Sequence, residues 1–299
     1  MHSTEYNKTR VIKYLIFTFT GAYLIQFFAA RICNRGDIQI GQMIVAAMMF
    51  VPTLGVLISG AGLRDMGWKP KIRKNIKSIL IAWFAPAVLT VIGAALYFLI
   101  FPGHFDLTGK AMAASGGAET LAQLEAQGIS YPMYVLISVI SAVTYAPLIN
   151  VIPALGEEIG WRGFLYPQLR ARFGRQKGWI LGGAIWGAWH WPLIYLIGYE
   201  YGTGYVGFPV SGMLLFCVVT VGWGILHAWL YERSGTIWVP ALFHGTINAF
   251  AGIPLVICLP DIGSGRLLGP APNGIIAALP FLIWALIVLL RAKDPEMQA

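Results

Sequence analysis

With 57% apolar and only 11% charged side chains over 299 residues, the chain departs from soluble domains, in which about a quarter of residues are charged. Its mean hydropathy of +0.68 excludes a water-soluble globule. Membrane topology and anionic lipid account for the net charge of +8, so no nucleic-acid partner is needed.

Eight apolar runs are predicted in chain order, at 11–31, 40–62, 77–101, 132–156, 178–199, 210–231, 236–258 and 270–290. Each is near the ~20 residues with which a helix crosses a bilayer. Continuous runs of this length lack the alternation of a barrel strand, and only helices or closed barrels satisfy their backbone in lipid. The expected fold is all-α: a polytopic helical bundle of about eight transmembrane helices in a single membrane domain over 1–299.

The first run follows basic residues, as a secretory signal does. It exceeds the roughly 7–15 residues of a signal core and lacks a clear cleavage site, so it is read as the first span. Between the third and fourth runs lies the longest polar stretch, about 102–131. Gly103, Gly109, Gly116 and Gly117 interrupt it before Glu119 to Glu125. A loop of that length is expected to act as a lid, a substrate contact or a tether. After the fourth run, residues 163–175 mix aromatics with arginines, the composition of an element anchored at the membrane interface.

Basic residues orient the bundle, because cytoplasmic loops collect Lys and Arg. With eight spans and both termini cytoplasmic, 17 of the 21 basic residues fall on one face, from Lys8, Arg10 and Lys13 through Arg64–Lys77 and Arg162–Lys177 to Arg233, Arg291 and Lys293. Arg31, Arg35, Lys110 and Arg266 fall on the other. Cys33, Cys217 and Cys258 are scattered without ligand spacing and read as packing residues. The chain end, Met297 to Ala299, carries no prenylation signal.

Of the 13 acidic residues, Glu157 and Glu158 form the one adjacent pair that abuts the end of an apolar run. Ionisable groups at such a position are expensive, and they face protein or a wet cavity. Three of the five histidines, His190, His227 and His244, also lie inside apolar runs. Residues four apart share a helical face, so Glu158 is expected to meet Arg162, Trp186 to lie over His190, and His244 to align with Asn248. Adjacent carboxylates diverge by about 100°. Glu158 is therefore assigned to Arg162, and Glu157 is left free to act as a base. At 1.5 Å per residue, His190 lies roughly 18 Å and His244 roughly 12 Å into their spans.

Glu157-Glu158-x-x-x-Arg162, then Trp186-x-x-x-His190, then His244-x-x-x-Asn248 resembles the three-motif pattern of the CAAX prenyl protease and bacteriocin-processing family, which includes the Ras-converting endopeptidases. The likeness covers roughly 130–255; residues 1–130 share only hydrophobicity with it. The second motif usually begins with Phe where this chain has Trp186, read here as an equivalent aromatic neighbour. His227 belongs to no motif and is read as a packing histidine.

The resemblance implies peptide-bond hydrolysis inside the membrane by an activated water. Glu157 would be the base and His190 its partner, with His244 and Asn248 stabilising the oxyanion. Glu158, Arg162 and Trp186 would hold these groups in place. No cofactor or metal is expected. Zinc is the alternative, since Glu and two His also make a zinc set, yet the chain has no His-Glu-x-x-His. It has no Gly-x-Ser-x-Gly elbow, and no Asp falls within a predicted span, which speaks against serine and aspartyl chemistry. The expected partners are the lipid bilayer and a hydrophobic or lipidated peptide. Competing readings are a non-catalytic immunity or scaffold protein and a proton-coupled transporter, the latter without the inverted repeat common in that class. Short loops favour a prokaryotic plasma membrane, with the site accessible from the cytoplasm.

Overall fold

A computed structural model describes residues 5–292; Lys293 and the chain end from Met297 lie outside the described residues. Helices make up the fold, and the one strand-like feature among the described residues is an isolated bridge between Phe105 and Cys258.

Asn7 caps the first helix, α1 (Lys8–Cys33), by accepting the Arg10 N–H at 3.0 Å. The second run forms α2 (Ile38–Met48) and α3 (Val51–Ile58), broken just before Pro52. The third is α4 (Ile72–Ile100), which runs through Pro86. The polar stretch that follows folds into a short turn at Pro102–His104, α5 (Lys110–Met112), a wide turn at Ala113–Gly117 and α6 (Ala118–Ala126). It is tied down along its length. Asp106 N–H donates to Ile257 O at 3.0 Å, Leu259 N–H to His104 O at 2.8 Å, and Tyr131 OH to Val256 O at 2.6 Å.

The fourth run divides into α7 (Tyr131–Val143) and α8 (Ala146–Gly160), separated at Thr144–Tyr145 just before Pro147. A π-helical turn, Trp161–Leu165, leads into α9 (Tyr166–Phe173). The fifth run breaks at Trp189–His190 into α10 (Arg175–Ala188) and α11 (Trp191–Ile197). Next come α12 (Val210–Ser234), α13 (Trp238–Phe250), the short α14 (Ile253–Val256) and α15 (Leu279–Arg291).

The protein is an integral membrane protein, and its span count differs from the eight expected. Six helices or helix pairs are long and apolar enough to cross: 8–33, 38–58, 72–100, 175–197, 210–234 and 238–256. A seventh is added if 110–126 and 131–143, bent by 104°, count as one. The run at 132–156 is not one rod because of the break ahead of Pro147. The run at 270–290 helps only from Leu279, since Pro270 and Pro272 lack N–H donors and Asn273-Gly274 turns the chain.

Side chains on the outside of the bundle, such as Leu99, Met43 and Leu290, are apolar and exposed, as lipid contact requires. Small residues bring the inner helices close. A side chain at Gly183 would meet the backbone of Thr220 and Val221, and one at Gly187 that of Cys217, so α10 lies directly against α12. Gly245 likewise seats α13 on the Pro147–Val151 backbone of α8. These two contacts bring the polar residues of α8, α10, α12 and α13 together.

Candidate active site

Glu157 and Glu158 occupy the last turn of α8 and are 2% and 0% exposed. Their side chains part as the helical geometry requires. Glu157 Oε2 accepts two indole N–H bonds, from Trp161 at 2.9 Å and Trp186 at 2.7 Å. Glu158 Oε1 accepts from Arg162 Nη1 at 2.8 Å and faces His244 Nδ1 at 2.8 Å.

The π-helical turn starts where the carboxylates end and carries both Trp161 and Arg162. Such turns interrupt helices frequently at functional positions. Arg162 is wholly buried, and its guanidinium is sandwiched between rings, 4.6 Å from the Trp186 centroid and 4.7 Å from that of Tyr166. Its Nε and Nη2 have no hydrogen-bond partner among the described residues, so the cation is held by one carboxylate and two π faces.

Trp186 is the hub. Its ring centre lies 5.3 Å from His244, 5.5 Å from His227 and 6.3 Å from His190, in addition to its bond to Glu157. A Phe there would pack but could not donate, so the Trp in the second motif is more than an equivalent aromatic.

His190 sits in the break between α10 and α11 rather than on a continuous helix. Its Nδ1 lies 2.9 Å from the Trp186 carbonyl, which can only accept, so Nδ1 carries the proton and Nε2 is the basic nitrogen. Tyr199 stacks on the ring at 6.1 Å and Phe216 meets its edge at 5.0 Å. The first helix holds this break in place. Buried Gln26 donates to Trp189 O at 2.7 Å and accepts from Leu193 N–H at 3.2 Å, while Tyr23 OH donates to Ala188 O at 2.9 Å.

Of the residues singled out from sequence, Glu157, Glu158, Arg162, Trp186, His190 and His244 gather in this interior. Asn248 does not join their hydrogen bonds. It shares α13 with His244, yet His244 is buried and Asn248 is exposed, without a hydrogen bond among the described residues. Sequence reasoning missed Trp161, Gln26 and His227. Trp161 follows Glu157 by the same four residues that link Glu158 to Arg162, and that signal was legible. Gln26 was visible as a lone amide in an apolar run.

His227, read as a packing histidine, lies in the cluster. Its Nδ1 meets Trp223 O at 2.6 Å, its Nε2 is buried without a hydrogen-bond partner among the described residues, and its ring centre is 5.5 Å from that of His244. Donor atoms of Glu158, His227 and His244 lie within 4.8 Å of one another. That spacing suits a metal ion, and Glu158 Oε2, like His227 Nε2, is buried without a hydrogen-bond partner among the described residues, whereas Oε1 is engaged. Arg162 already places a cation on Glu158 Oε1, and His244 turns Nδ1 toward that same oxygen.

A buried carboxylate–histidine cluster assembled from four helices marks an integral membrane protein with a polar site in its interior. Its kinship follows from comparison: residues 139–250 match the Rce1-like family, described as type II CAAX prenyl endopeptidase Rce1-like. Over 99 residues, 33% of this chain, it is 30% identical to CAAX prenyl protease 2 of Methanococcus maripaludis. That stretch spans 36% of the relative's length. The family match takes in every residue of the three motifs, Glu157 to Asn248, and the likeness to this protease family is thereby shown for that part of the chain.

Proposed function

We propose that this protein is an intramembrane endopeptidase that hydrolyses a peptide bond near the end of a hydrophobic or prenylated CAAX-type substrate, using water activated by Glu157 and His190. The carrying observation is the setting of Glu157. Both indole bonds fall on Oε2, so the carboxylate is oriented while Oε1 is left to take a proton from water. His190 is tied to the same tryptophan through its backbone carbonyl, with Nε2 as the second basic atom. Proton removal by such positioned groups contributes typically about 10²–10⁴-fold.

His244 and Asn248 supply the oxyanion donors. With Nδ1 of His244 held 2.8 Å from Glu158 Oε1, the oxygen that Arg162 also contacts, the Nε2 edge of the ring is left to face the oxyanion. Glu158 and Arg162 thus act through His244 and through the turn that carries Trp161. No metal enters this chemistry. Substrate and water approach from the cytoplasmic side of a prokaryotic plasma membrane, the side assigned by the basic loops.

The test uses the purified full chain in detergent with a farnesylated Cys-a-a-X peptide, read by mass spectrometry for release of the C-terminal tripeptide. The wild type is expected to release it, in the presence of chelators as well, and Glu157→Gln to lose release while remaining folded. Full cleavage by Glu157→Gln would overturn the mechanism. Biological activity retained by that variant without any peptide product would favour the immunity or scaffold reading, and substrate flux in sealed vesicles a transporter.

A further inference from the structure

We infer that the basic end of the bundle carries a binding site for one anionic phospholipid, in a groove between the ends of α10, α12 and α15. The groove encloses about 520 Å³ and is lined by Arg175, Arg233, Arg291, Trp179, Trp229 and Trp284, with Glu232, Ile287 and Val288 among the remainder. It shares no residue with the carboxylate–histidine cluster, and its volume lies in the roughly 300–1,000 Å³ range of small-ligand sites.

Three arginines face one carboxylate in this groove. Glu232 is already engaged, by Arg170 at 2.9 Å and Arg175 at 3.2 Å. Arg233 and Arg291 are exposed and have no carboxylate partner among the described residues. Both stand in the last turn of their helices, where a cation complements the helix dipole. A dipole partner alone needs neither a cavity nor an aromatic wall, and here both are present. Arg233 lies over the Trp229 ring at 5.5 Å, and Trp229 meets Trp284 edge-on at 5.6 Å.

This combination selects the ligand chemistry. Unpaired guanidiniums take a phosphate oxygen in a forked geometry. Indoles favour the headgroup level of a bilayer. Ile287, 43% exposed on α15, continues the groove as apolar surface for an acyl chain. A free phosphate compound would use the arginines and leave that surface without a role. A zwitterionic lipid would bring an ammonium group toward two cations without a carboxylate partner. Basic pockets between helices are the usual form of such headgroup sites.

Native mass spectrometry of the full chain in detergent, titrated with phosphatidylglycerol or phosphatidylcholine of equal chain length, tests the site. Phosphatidylglycerol is expected to bind preferentially, and R233Q/R291Q to weaken it roughly thirtyfold, at about 1 kcal/mol for each basic contact. R233K/R291K, which keeps the charge and loses the fork, should bind between wild type and R233Q/R291Q, which separates lost charge from a disturbed fold. K69Q/K74Q removes equal charge outside the groove at the same end, which Asn75 marks by donating to Ser234 O at 3.2 Å, and should leave binding unchanged. An equal loss in K69Q/K74Q, or no preference between the lipids, overturns the site. Glycerol 3-phosphate competing at the same concentration as the lipid would reassign the groove to a free phosphate compound and overturn the lipid.

Discussion

The surroundings of Glu157 and those of Glu158 differ although the residues are adjacent in the chain. Around Glu157 there are only neutral donors, two indoles, and an imidazole that shares one of them. Around Glu158 there are a buried guanidinium and a second imidazole. Neutral donors orient a carboxylate without neutralising it, which keeps it available for proton transfer. An ionic partner fixes a carboxylate and makes it part of the framework. One residue of helix, about 100° of rotation, thus separates a carboxylate oriented by neutral donors from one held by ionic partners.

The sharpest test of that contrast exchanges the two losses. Glu158→Gln strands the wholly buried Arg162 and is expected to cost about 3–5 kcal/mol of stability, seen as an early thermal transition in detergent. Glu157→Gln should melt close to wild type while losing roughly 10²–10⁴-fold in cleavage rate. If the two variants melt alike, the division fails.

Asn248→Ala comes next. If Asn248 meets the oxyanion only when substrate is bound, kcat should fall about 10²–10³-fold with no change in melting. An unaltered kcat would leave His244 as the sole donor on α13. Trp186→Phe refines the Glu157 side, since it keeps an aromatic ring over Arg162 and removes one N–H. Loss of a hydrogen bond to a charged group, about 1.5–3 kcal/mol, predicts a fall in kcat of about tenfold or more, with KM little changed.

The smallest effect lies far from both carboxylates. Asp106 accepts from the Thr108 hydroxyl at 2.6 Å and from the Lys110 and Thr108 N–H groups at 3.1 and 3.2 Å. Burial pushes its pKa up, but these bonds and the Lys110 charge outweigh that and hold it below the ordinary carboxylate value. A depressed carboxyl stabilises the fold above its unfolded pKa, and the contribution fades as pH falls through the folded value. Hydrogen exchange over 102–131 should therefore quicken as pH drops below about 3.9, after correction for intrinsic exchange. Asp106→Asn should be looser by about 1 kcal/mol at neutral pH and lack that acid dependence.

Much of this was legible before any coordinates. Hydrophobic run length pointed to a helical membrane protein, because lipid leaves the backbone only helices or closed barrels and continuous runs lack the barrel's alternation. Four-residue spacing gave the Glu158–Arg162 pair, because that contact lies within one turn of one helix. The same spacing overreached at Asn248, since a shared helix face does not tell which part of it is buried. At His190 the spacing did bring the ring to within 6.3 Å of Trp186, but not along a continuous helix, since the chain breaks before Pro192 and Nδ1 bonds the Trp186 carbonyl.

The candidate spans number six or seven rather than eight for a related reason: hydropathy counts apolar residues and does not register where a proline ends a helix. What the sequence by itself determined is therefore what depends on neighbours in the chain: membrane residence, helical class, and the divergence of two adjacent carboxylates. The tertiary structure alone decided which imidazole meets which carboxylate, that Gln26 of the first helix holds the break at His190, and that His227 lies inside the cluster. Those contacts join residues far apart in the chain. Those within the cluster depend on how closely the glycines let α10 approach α12 and α13 approach α8, which no local pattern encodes.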